Sequence, residues 1–325
     1  MTDEPLLLGV DGGNSKTIAM VARADGTVVG SGRVDANGDP HKVGIPAAVA
    51  VHREAIERAL AQVGASPARI RAAALSLAGA DWPEDIADLE AAHRVWLPVA
   101  RVVNDAIGAL RVAVPSGPGV VVVCGTGTAT AARGPDGTTW HSGFWQETQG
   151  AHELGVRALQ AIYRAELGID PATALTEAIL AATGEPSVEA VLHHASARGI
   201  DPRRDPAVLA AALLDAAAAG DAAARGIVLH HGASLGRTAV AAARRVGITL
   251  DAPLRVGLTG GVLRHPSSVL PDAIAAEIRS LAPDVTIARP DAEPVVGALL
   301  LAFDAADLPG PPVTMDRIGV TLAGS

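Results

Sequence analysis

One order of strands and helices occurs twice along this chain. Three short strands open it, at residues 6–11, 17–24 and 27–35, and Asp25-Gly26 suits the tight turn between the last two. Helices and strands then alternate as helix 46–63, strand 71–78, helix 83–94, strand 99–104 and helix 105–113. A meander followed by this alternation predicts an α/β sheet with crossover helices.

The same order begins again after the breaker-rich segment at residues 115–118. Strands are predicted at 120–124, 128–133 and 138–141, and a helical stretch at roughly 147–246 separates them from strand 254–259, helix 267–281, strand 285–288 and helix 293–306. This duplication predicts two lobes with a cleft between them. We expect an N-terminal lobe of residues 1–115, completed by the C-terminal helix 293–325, and a C-terminal lobe of residues 116–292 that carries the insertion 147–246.

Composition and charge limit the classes of partner. Hydrophobic residues make up 49% of the chain and charged residues 19%, which suits a folded protein with substantial cores. The formal net charge of −9 disfavours nucleic acid and anionic membranes, because it repels their phosphate groups. The apolar start is interrupted at Asp11 and provides no signal peptide. We therefore expect no nucleic acid, no membrane association and a cytoplasmic location.

A glycine-rich loop between the first two strands has the composition of a phosphate-binding turn. Adjacent glycines let backbone N–H groups point at a phosphate, hydroxyl side chains add donors, and a lysine adds positive charge. The candidate nucleotide-binding residues are Gly12, Gly13, Asn14, Ser15, Lys16 and Thr17. Asp11, at the strand end, is the candidate Mg²⁺ ligand, since hard divalent cations prefer carboxylate oxygens. A simple hairpin turn is the alternative for this loop.

Two further glycine turns favour the nucleotide interpretation. The same place in the second meander holds Gly125, Thr126, Gly127 and Thr128. Gly260 and Gly261 end a later strand and open a helix, where paired glycines allow close approach of a flat ligand such as adenosine. A tight strand-to-helix turn is the alternative for that pair. Neither of the two meander loops fits the G-x-x-x-x-G-K-[ST] or G-x-G-x-x-G pattern, which disfavours those two nucleotide-binding folds.

With these segments the chain resembles the BadF/BadG/BcrA/BcrD-type ATPase family, which includes N-acetylglucosamine kinase-like sugar kinases of the actin/hexokinase superfamily. The resemblance covers nearly the whole chain and rests on VDGGNSKT (10–17), SLAGAD (76–81), VNDA (103–106), CGTGT (124–128), GGV (260–262) and EPVVGA (293–298). It implies an α/β, duplicated actin/hexokinase-like (ribonuclease H-like) fold, with two lobes and a central nucleotide and substrate cleft. It also implies ATP with Mg²⁺, a sugar or amino sugar as the small-molecule partner, and a homodimer.

Phosphoryl transfer to a hydroxyl needs a carboxylate that can accept the hydroxyl proton. Asp105 follows an apolar strand and begins a helix, and it matches the catalytic aspartate of the resembling family; its alternative role is the N-cap of that helix. Asn37 matches a position where relatives hold acceptor hydroxyls, with turn formation as the alternative. Asp81 is a candidate contact for substrate or Mg²⁺, or else a cap for the helix that begins near Pro83.

The segment at residues 142–155 departs from the resembling family. Relatives carry Gly-Gly-Trp-Gly and then Gly-Asp-Glu-Gly-Ser where the sugar and its N-acyl group are bound. Here Gly143 can be carried over as a substrate-binding residue, and Glu147 replaces the family aspartate. Phe144 or Trp145 suits an aromatic wall under a sugar ring, with core packing as the alternative.

The sequence therefore predicts an ATP-dependent kinase that transfers the γ-phosphate to a sugar or amino sugar hydroxyl, with N-acetylglucosamine or glucosamine as the first expected acceptor. One alternative is an ATPase that activates a partner enzyme. As resembling relatives perform it, that role implies two cysteines per chain for a shared iron–sulfur cluster, whereas this chain has only Cys124. The other alternative is a catalytically silent sugar sensor, which the altered segment 142–155 keeps open.

Overall fold

The structure is a computed structural model that describes residues 4–145, 150–196 and 205–308. Its strands are β1 (Leu6–Gly12), β2 (Thr17–Arg23), β3 (Val28–Val34), β4 (Ile70–Leu77), β5 (Ala100–Asn104), β6 (Gly119–Cys124), β7 (Thr128–Arg133), β8 (Thr139–His141), β9 (Leu254–Thr259) and β10 (Val285–Ala288). Its α-helices are α1 (Pro40–Val43), α2 (Ile45–Ala61), α3 (Pro83–Arg94), α4 (Asp105–Ala113), α5 (Ala151–Glu166), α6 (Leu175–Thr183), α7 (Val188–Ser196), α8 (Ala210–Ala218), α9 (Ala222–Arg245), α10 (Val269–Leu281) and α11 (Pro294–Ala305). Contacts divide the chain into two units, one of Met1–Ser116 with Pro290–Ser325 and one of Gly117–Arg289.

The sheet of the first unit has the strand order β3-β2-β1-β4-β5. β2 pairs antiparallel with both β1 and β3, whereas β1, β4 and β5 run parallel. The carboxyl ends of the parallel strands are in register, because Gly12 is opposite Leu77 and Leu77 is opposite Asn104. The loops that follow these three residues therefore meet at one edge of the sheet.

β1 is buried on both faces, and each face packs against a different helix. Successive side chains of a strand point to opposite faces. Leu8 and Val10 join a core with Ile56 of α2, whereas Leu7 joins a second core with Phe303 of α11. This explains why β1 is a continuous apolar run rather than an alternating one.

The sheet of the second unit has the order β8-β7-β6-β9-β10, which repeats that of the first. β6, β7 and β8 form the antiparallel meander, and β6, β9 and β10 run parallel. Helices α5 to α9 lie in the chain between β8 and β9 and share a core that includes Leu154, Leu213 and Leu235. Among the described residues no single helix is long and apolar enough to cross a bilayer, although Pro206–Ala218 and Ala222–Arg245, bent by 111°, pass that test as a pair.

The predicted α/β fold and its duplicated strand order are confirmed. Predicted helices 83–94 and 105–113 coincide with α3 and α4, and predicted strands 128–133 and 254–259 coincide with β7 and β9. The helix predicted at 46–63 ends at Ala61 instead, and Gly64 follows the helix with a φ of +58°. Helix α1 was not predicted, because its four residues are too few to show a hydrophobic period.

Candidate active site

Asp105 lies at the carboxyl end of β5, where it is the first residue of α4. The buried Ser76 of β4 fixes this first turn, because its hydroxyl donates to the Asp105 carbonyl at 3.1 Å and accepts from the Gly108 N–H at 3.2 Å. The N-cap of α4 is Asn104, whose side-chain oxygen accepts from the Ala106 N–H at 3.0 Å. Asn104 is therefore the N-cap, so the helix does not depend on the Asp105 carboxylate for its cap, although that carboxylate also accepts from the Ala106 N–H.

The Asp105 carboxyl has an elevated pKa. Burial, and next the negative charge of Asp81, raise the pKa of Asp105 to about 6, while a hydrogen bond from the Ala106 N–H acts in the opposite direction. The charge of Asp39 adds to the increase. A carboxylate with a pKa in this range is a stronger base than an ordinary aspartate and is still ionised at neutral pH, as a general base requires.

Asp81 contacts the cap of α4 rather than capping α3. Its Oδ1 accepts from Asn104 Nδ2 at 3.0 Å, and burial is the main cause that raises its pKa. The N-terminus of α3 is closed by Trp82 and Asp85, whose carboxylate accepts from the Trp82 N–H at 2.9 Å. Asn104 thus links Asp81 to the turn that carries Asp105, and the predicted alternative role of Asp81 as a helix cap is not what the structure shows.

Asn37 and Asp39 lie in the loop after β3, in the same unit as Asp105. Asn37 Oδ1 accepts from the Asp39 N–H at 2.8 Å, and Asp39 Oδ1 accepts from the His41 N–H at 2.9 Å and caps α1. Asn37 therefore forms a turn, which is the alternative role that the sequence offered for it. Within the described ranges its side-chain nitrogen donates no hydrogen bond, so this nitrogen can still donate to a ligand.

The first predicted phosphate loop is a tight turn between β1 and β2. The Gly13 N–H donates to the Lys16 carbonyl at 2.9 Å, and the Ala78 N–H donates to the Gly12 carbonyl at 2.7 Å. Asn14 Oδ1 and Thr17 Oγ1 are buried, and among the residues described here neither has a hydrogen-bond partner. Buried polar atoms normally have partners. These two atoms therefore fit a loop that is completed by a ligand, although the hairpin geometry of the alternative is also present.

Lys16 is held by a residue from the far end of the sequence. Its Nζ lies 2.9 Å from Glu293 Oε2, and both side chains are partly buried. Glu293 is the N-cap residue of α11, which packs on β1. The ion pair fixes the position of the lysine beside the loop and balances its charge.

Asp11 is the residue of the loop best suited to Mg²⁺. It lies on β1 directly before the turn and is partly buried. No cluster of three or more His, Cys, Asp or Glu side chains that could hold a metal occurs in residues 4–145, 150–196 and 205–308. Mg²⁺ commonly uses only one or two protein carboxylates and completes its shell with phosphates and water. The donor set therefore fits a cation that arrives with a nucleotide.

In the second unit, the loop at residues 125–128 is anchored by the N-terminus of α5. The Gly125 N–H donates to the Gly127 carbonyl at 2.8 Å, and the Ala151 N–H donates to the Gly125 carbonyl at 2.8 Å. A Cβ on Gly127 would meet nothing within 4 Å, so the loop is open above its glycines. Thr126 and Thr128 complete this predicted nucleotide-binding group.

Gly260 lies beside the same strand end. Its φ is +110°, and a Cβ there would clash with the backbone of Cys124, whose nitrogen would be 2.8 Å away. A side chain at Gly261 would meet nothing within 4 Å. Close backbone packing thus explains the glycine at position 260, in agreement with the alternative of a tight strand-to-helix turn. Gly261 faces open space.

The predicted acceptor segment is described only in part. Gly143 begins a short turn with a φ of +44°, whereas Glu147 lies outside the described residues. Phe144 and Trp145 are 63% and 70% exposed, so they do not pack in a core. The Arg245 guanidinium lies 5.6 Å from the Trp145 ring centre and 5.5 Å from that of Trp140.

Four of the described residues that make contacts at the site were not predicted as functional, namely Asp39, Ser76, Asn104 and Glu293. The signal for Asp39 was present, because Asp followed by Pro40 is a helix N-terminus pattern. Asn104 precedes Asp105, and either residue could cap the helix. The partnership of Glu293 with Lys16 left no local signal, since 277 positions separate the two residues.

The chain belongs to the BadF/BadG/BcrA/BcrD ATPase family, whose sequence profile matches residues 8–302. An N-acetyl-D-glucosamine kinase of Dictyostelium discoideum is 23% identical over 327 residues, which cover 92% of this chain and 98% of that enzyme. An N-acetylmuramic acid/N-acetylglucosamine kinase of Clostridium acetobutylicum is 29% identical over 164 residues, 48% of this chain. That match spans about half of the Clostridium enzyme, or 52% of its length.

Solved structures show the same fold. The putative N-acetylglucosamine kinase of Chromobacterium violaceum superposes with a TM-score of 0.71 and 25% identity, covering 93% of this chain and all (100%) of that chain. The ROK family glucokinase of Streptomyces griseus, solved with glucose and AMPPNP, has a TM-score of 0.58 at 18% identity, over 92% of this chain and 99% of that chain. The actin/hexokinase-like fold that the sequence predicts is thereby confirmed.

Proposed function

We propose that the chain is an ATP-dependent kinase that transfers the γ-phosphate of ATP to a hydroxyl of a sugar or amino sugar. The observation that carries the proposal is the carboxylate of Asp105, which lies at a strand end, is released from helix capping by Asn104, and has a pKa raised to about 6. The family membership and the names of the relatives support the same activity.

In the proposed reaction Asp105 takes the proton of the acceptor hydroxyl while the hydroxyl oxygen forms a bond to the γ-phosphorus. The bond between that phosphorus and the β,γ-bridging oxygen breaks, and ADP leaves. Asn37 and Asp81 hold acceptor hydroxyls, and Gly143 and Glu147 contribute to the acceptor pocket. Because such transfer depends on position and charge more than on covalent chemistry, the fixed turn of α4 is the main contribution of this unit.

The nucleotide is assigned to the glycine loops. We propose that residues 12–17 and Gly125, Thr126, Gly127 and Thr128 bind phosphates, with Gly260 and Gly261 near the nucleoside. Asp11 holds Mg²⁺, which neutralises phosphate charge when bound. Lys16 then exchanges Glu293 for a phosphate oxygen.

Three further features belong to the proposal. N-acetylglucosamine or glucosamine is the first acceptor to consider, because N-acetylglucosamine appears in the names of three relatives. The two contact-defined units are its lobes, with boundaries near the predicted residues 115 and 292. We also propose a cytoplasmic homodimer, which the resemblance to these kinases suggests.

A coupled ADP-release assay over several sugars tests the proposal. The set contains glucosamine, N-acetylglucosamine, N-acetylmuramic acid, N-acetylmannosamine and glucose. We expect ADP release from Mg-ATP to depend on one of the added sugars. Sugar-independent hydrolysis would favour the partner-activating ATPase, and sugar binding without ADP release would favour the silent sensor.

The same assay tests the role of Asp105. Asp105→Asn removes the base and should lower kcat by ~10²-fold or more, while ATP binding by calorimetry stays unchanged. Asp88→Asn is the matched control, because Asp88 is an exposed carboxylate on α3. Full activity in the Asp105→Asn protein would contradict the assignment of the base.

A further inference from the structure

Gly38 connects the loop that carries Asn37 to the first phosphate loop. Its N–H donates to the Gly13 carbonyl at 3.0 Å. Its own carbonyl contacts His52 Nε2 of α2 at 3.0 Å. The Gly38 residue is therefore held from both sides, by the phosphate loop through its nitrogen and by a buried imidazole through its oxygen.

The His52 ring also packs beneath both loops. A Cβ on Gly38 would lie 2.8 Å from His52 Nε2 and 2.9 Å from Thr17 Oγ1, and a Cβ on Gly12 would lie 2.8 Å from the same nitrogen. Contacts this short are essentially absent between real Cβ atoms and their neighbours. Glycine at positions 12 and 38 thus lets both loops rest directly on the ring.

His52 lies in a row of four polar groups, which are the Gly38 carbonyl, the rings of His52 and His93, and the Leu89 carbonyl. The three contacts between these groups have one N–H too few for each contact to be a hydrogen bond. His52 Nδ1 lies 3.2 Å from His93 Nε2, and His93 Nδ1 lies 2.8 Å from the Leu89 carbonyl. With carbonyl acceptors at both ends, the three contacts need three N–H groups, whereas two neutral imidazoles supply two. Both rings are fully buried, and burial lowers the pKa of His52 to about 3 and that of His93 as well, so both are neutral.

The distances decide which contact lacks the hydrogen. The contacts to the two carbonyls, at 3.0 and 2.8 Å, are shorter than the 3.2 Å contact between the rings. A carbonyl has no hydrogen to give, so each of these contacts needs an N–H from the ring. These distances favour the arrangement with hydrogens on His52 Nε2 and His93 Nδ1, in which His52 donates to Gly38.

We propose that His52 is a positioning residue for the sugar acceptor, because its Nε2–H holds Gly38 and so keeps Asn37 in place beside the phosphate loop. This inference rests on the proposed kinase function and adds to it a buried residue of α2 that contacts Gly38, the neighbour of Asn37. If the anchor is lost, the Asn37 loop samples other conformations, and acceptor affinity falls by the fraction of time the loop is out of place.

A set of three variants tests the proposal by kinetics. His52→Leu removes the donor and should raise the KM for the acceptor sugar about tenfold, with the KM for ATP changed less than about twofold. His52→Gln keeps an N–H that can reach Gly38 and should restore the acceptor KM to within about threefold. His93→Leu is the matched control, because it removes the other buried ring but leaves the His52 contact to Gly38, and its acceptor KM should stay within about twofold.

Two measurements on the ligand-free protein test the anchor without any assay of activity. Nitrogen-15 NMR of the unmodified protein should show His52 as the Nε2–H tautomer and His93 as the Nδ1–H tautomer. Hydrogen exchange of the Gly38 amide should be at least about tenfold faster in His52→Leu than in His93→Leu, because only the former frees the loop. Both measurements test whether His52 holds Gly38, even if the chain phosphorylates no sugar.

Several results would overturn the proposal. One is a His52 ring with its hydrogen on Nδ1. Another is a His93→Leu protein whose acceptor KM rises as much as that of His52→Leu, since general repacking would then explain both. Unchanged Gly38 exchange in His52→Leu would also show that the imidazole does not hold the loop. If His52→Leu fails to fold, the tautomer measurement and the His52→Gln kinetics test whether His52 holds Gly38.

Discussion

Asn104 and Asp105 are adjacent residues with different roles, and the turn from β5 into α4 separates them. Asn104 is buried and closes the helix, and it also donates to Asp81, while Asp105 begins the helix with a carboxyl of raised pKa. From the sequence, capping is predicted only as the alternative role of Asp105, and Asn104 is not predicted for it. Local pattern does not separate the two residues, because Asn and Asp are similarly good N-caps.

The raised pKa of Asp105 predicts an acid limb in the pH profile. A base must be ionised to act, so kcat/KM should fall about tenfold per pH unit below about 6, with both substrates well under their KM so that the profile reports the free enzyme. Asp81→Asn removes a negative charge that disfavours ionisation of Asp105. The pKa of Asp105 should therefore decrease, and the acid limb should move to lower pH.

A control separates this effect from a general change of charge. Asp88→Asn removes an exposed carboxylate from α3 and should leave the acid limb where it is. An acid limb that stays fixed in the Asp81→Asn protein, or one that moves equally in both variants, would contradict the electrostatic link between Asp81 and Asp105.

At the scale of elements, α11 comes from the C-terminal part of the chain and packs in the first unit with residues from the N-terminal part. It packs on β1 and carries Glu293 to Lys16, and its Gly297 lies against the backbone of Gly108 in α4. The prediction of a helix at 293–306 was correct to within one residue at each end, whereas the C-terminal helix 293–325 assigned to the N-terminal lobe was too long, because α11 ends at Ala305. Its neighbours could not be predicted from local pattern, because they lie far away in the sequence.

The close contact between α11 and α4 predicts opposite effects for the same substitution in two helices. Gly297→Ala would push a methyl group into the Gly108 carbonyl and should destabilise the protein by ~3 kcal/mol or more. Gly226→Ala, in α9, meets nothing within 4 Å and should stabilise it by ~0.5–1 kcal/mol through helix propensity. Thermal unfolding measures both. An equal change in Tm for the two variants would show that the contact does not constrain α11.

At the scale of the whole molecule, the duplication was the most predictable feature, because each copy has its own strand order, turns and helix signals. Asp25-Gly26 and the alternation after Gly64 are local signals, and local signals predict elements well. The site was less predictable. The glycine loops, Asp11 and Asp105 stand out as polar or flexible residues at strand ends, whereas His52, Ser76 and Glu293 act through contacts that only the folded chain creates.

Transfer of phosphate to a sugar can be observed by phosphorus-31 NMR of the reaction products. The protein is incubated with Mg-ATP and the sugar that best promotes ADP release, and the phosphorus signals are integrated. We predict one sugar phosphate ester for each ADP formed and no more inorganic phosphate than in a reaction without protein. Inorganic phosphate in place of the ester would contradict it and identify the chain as an ATPase.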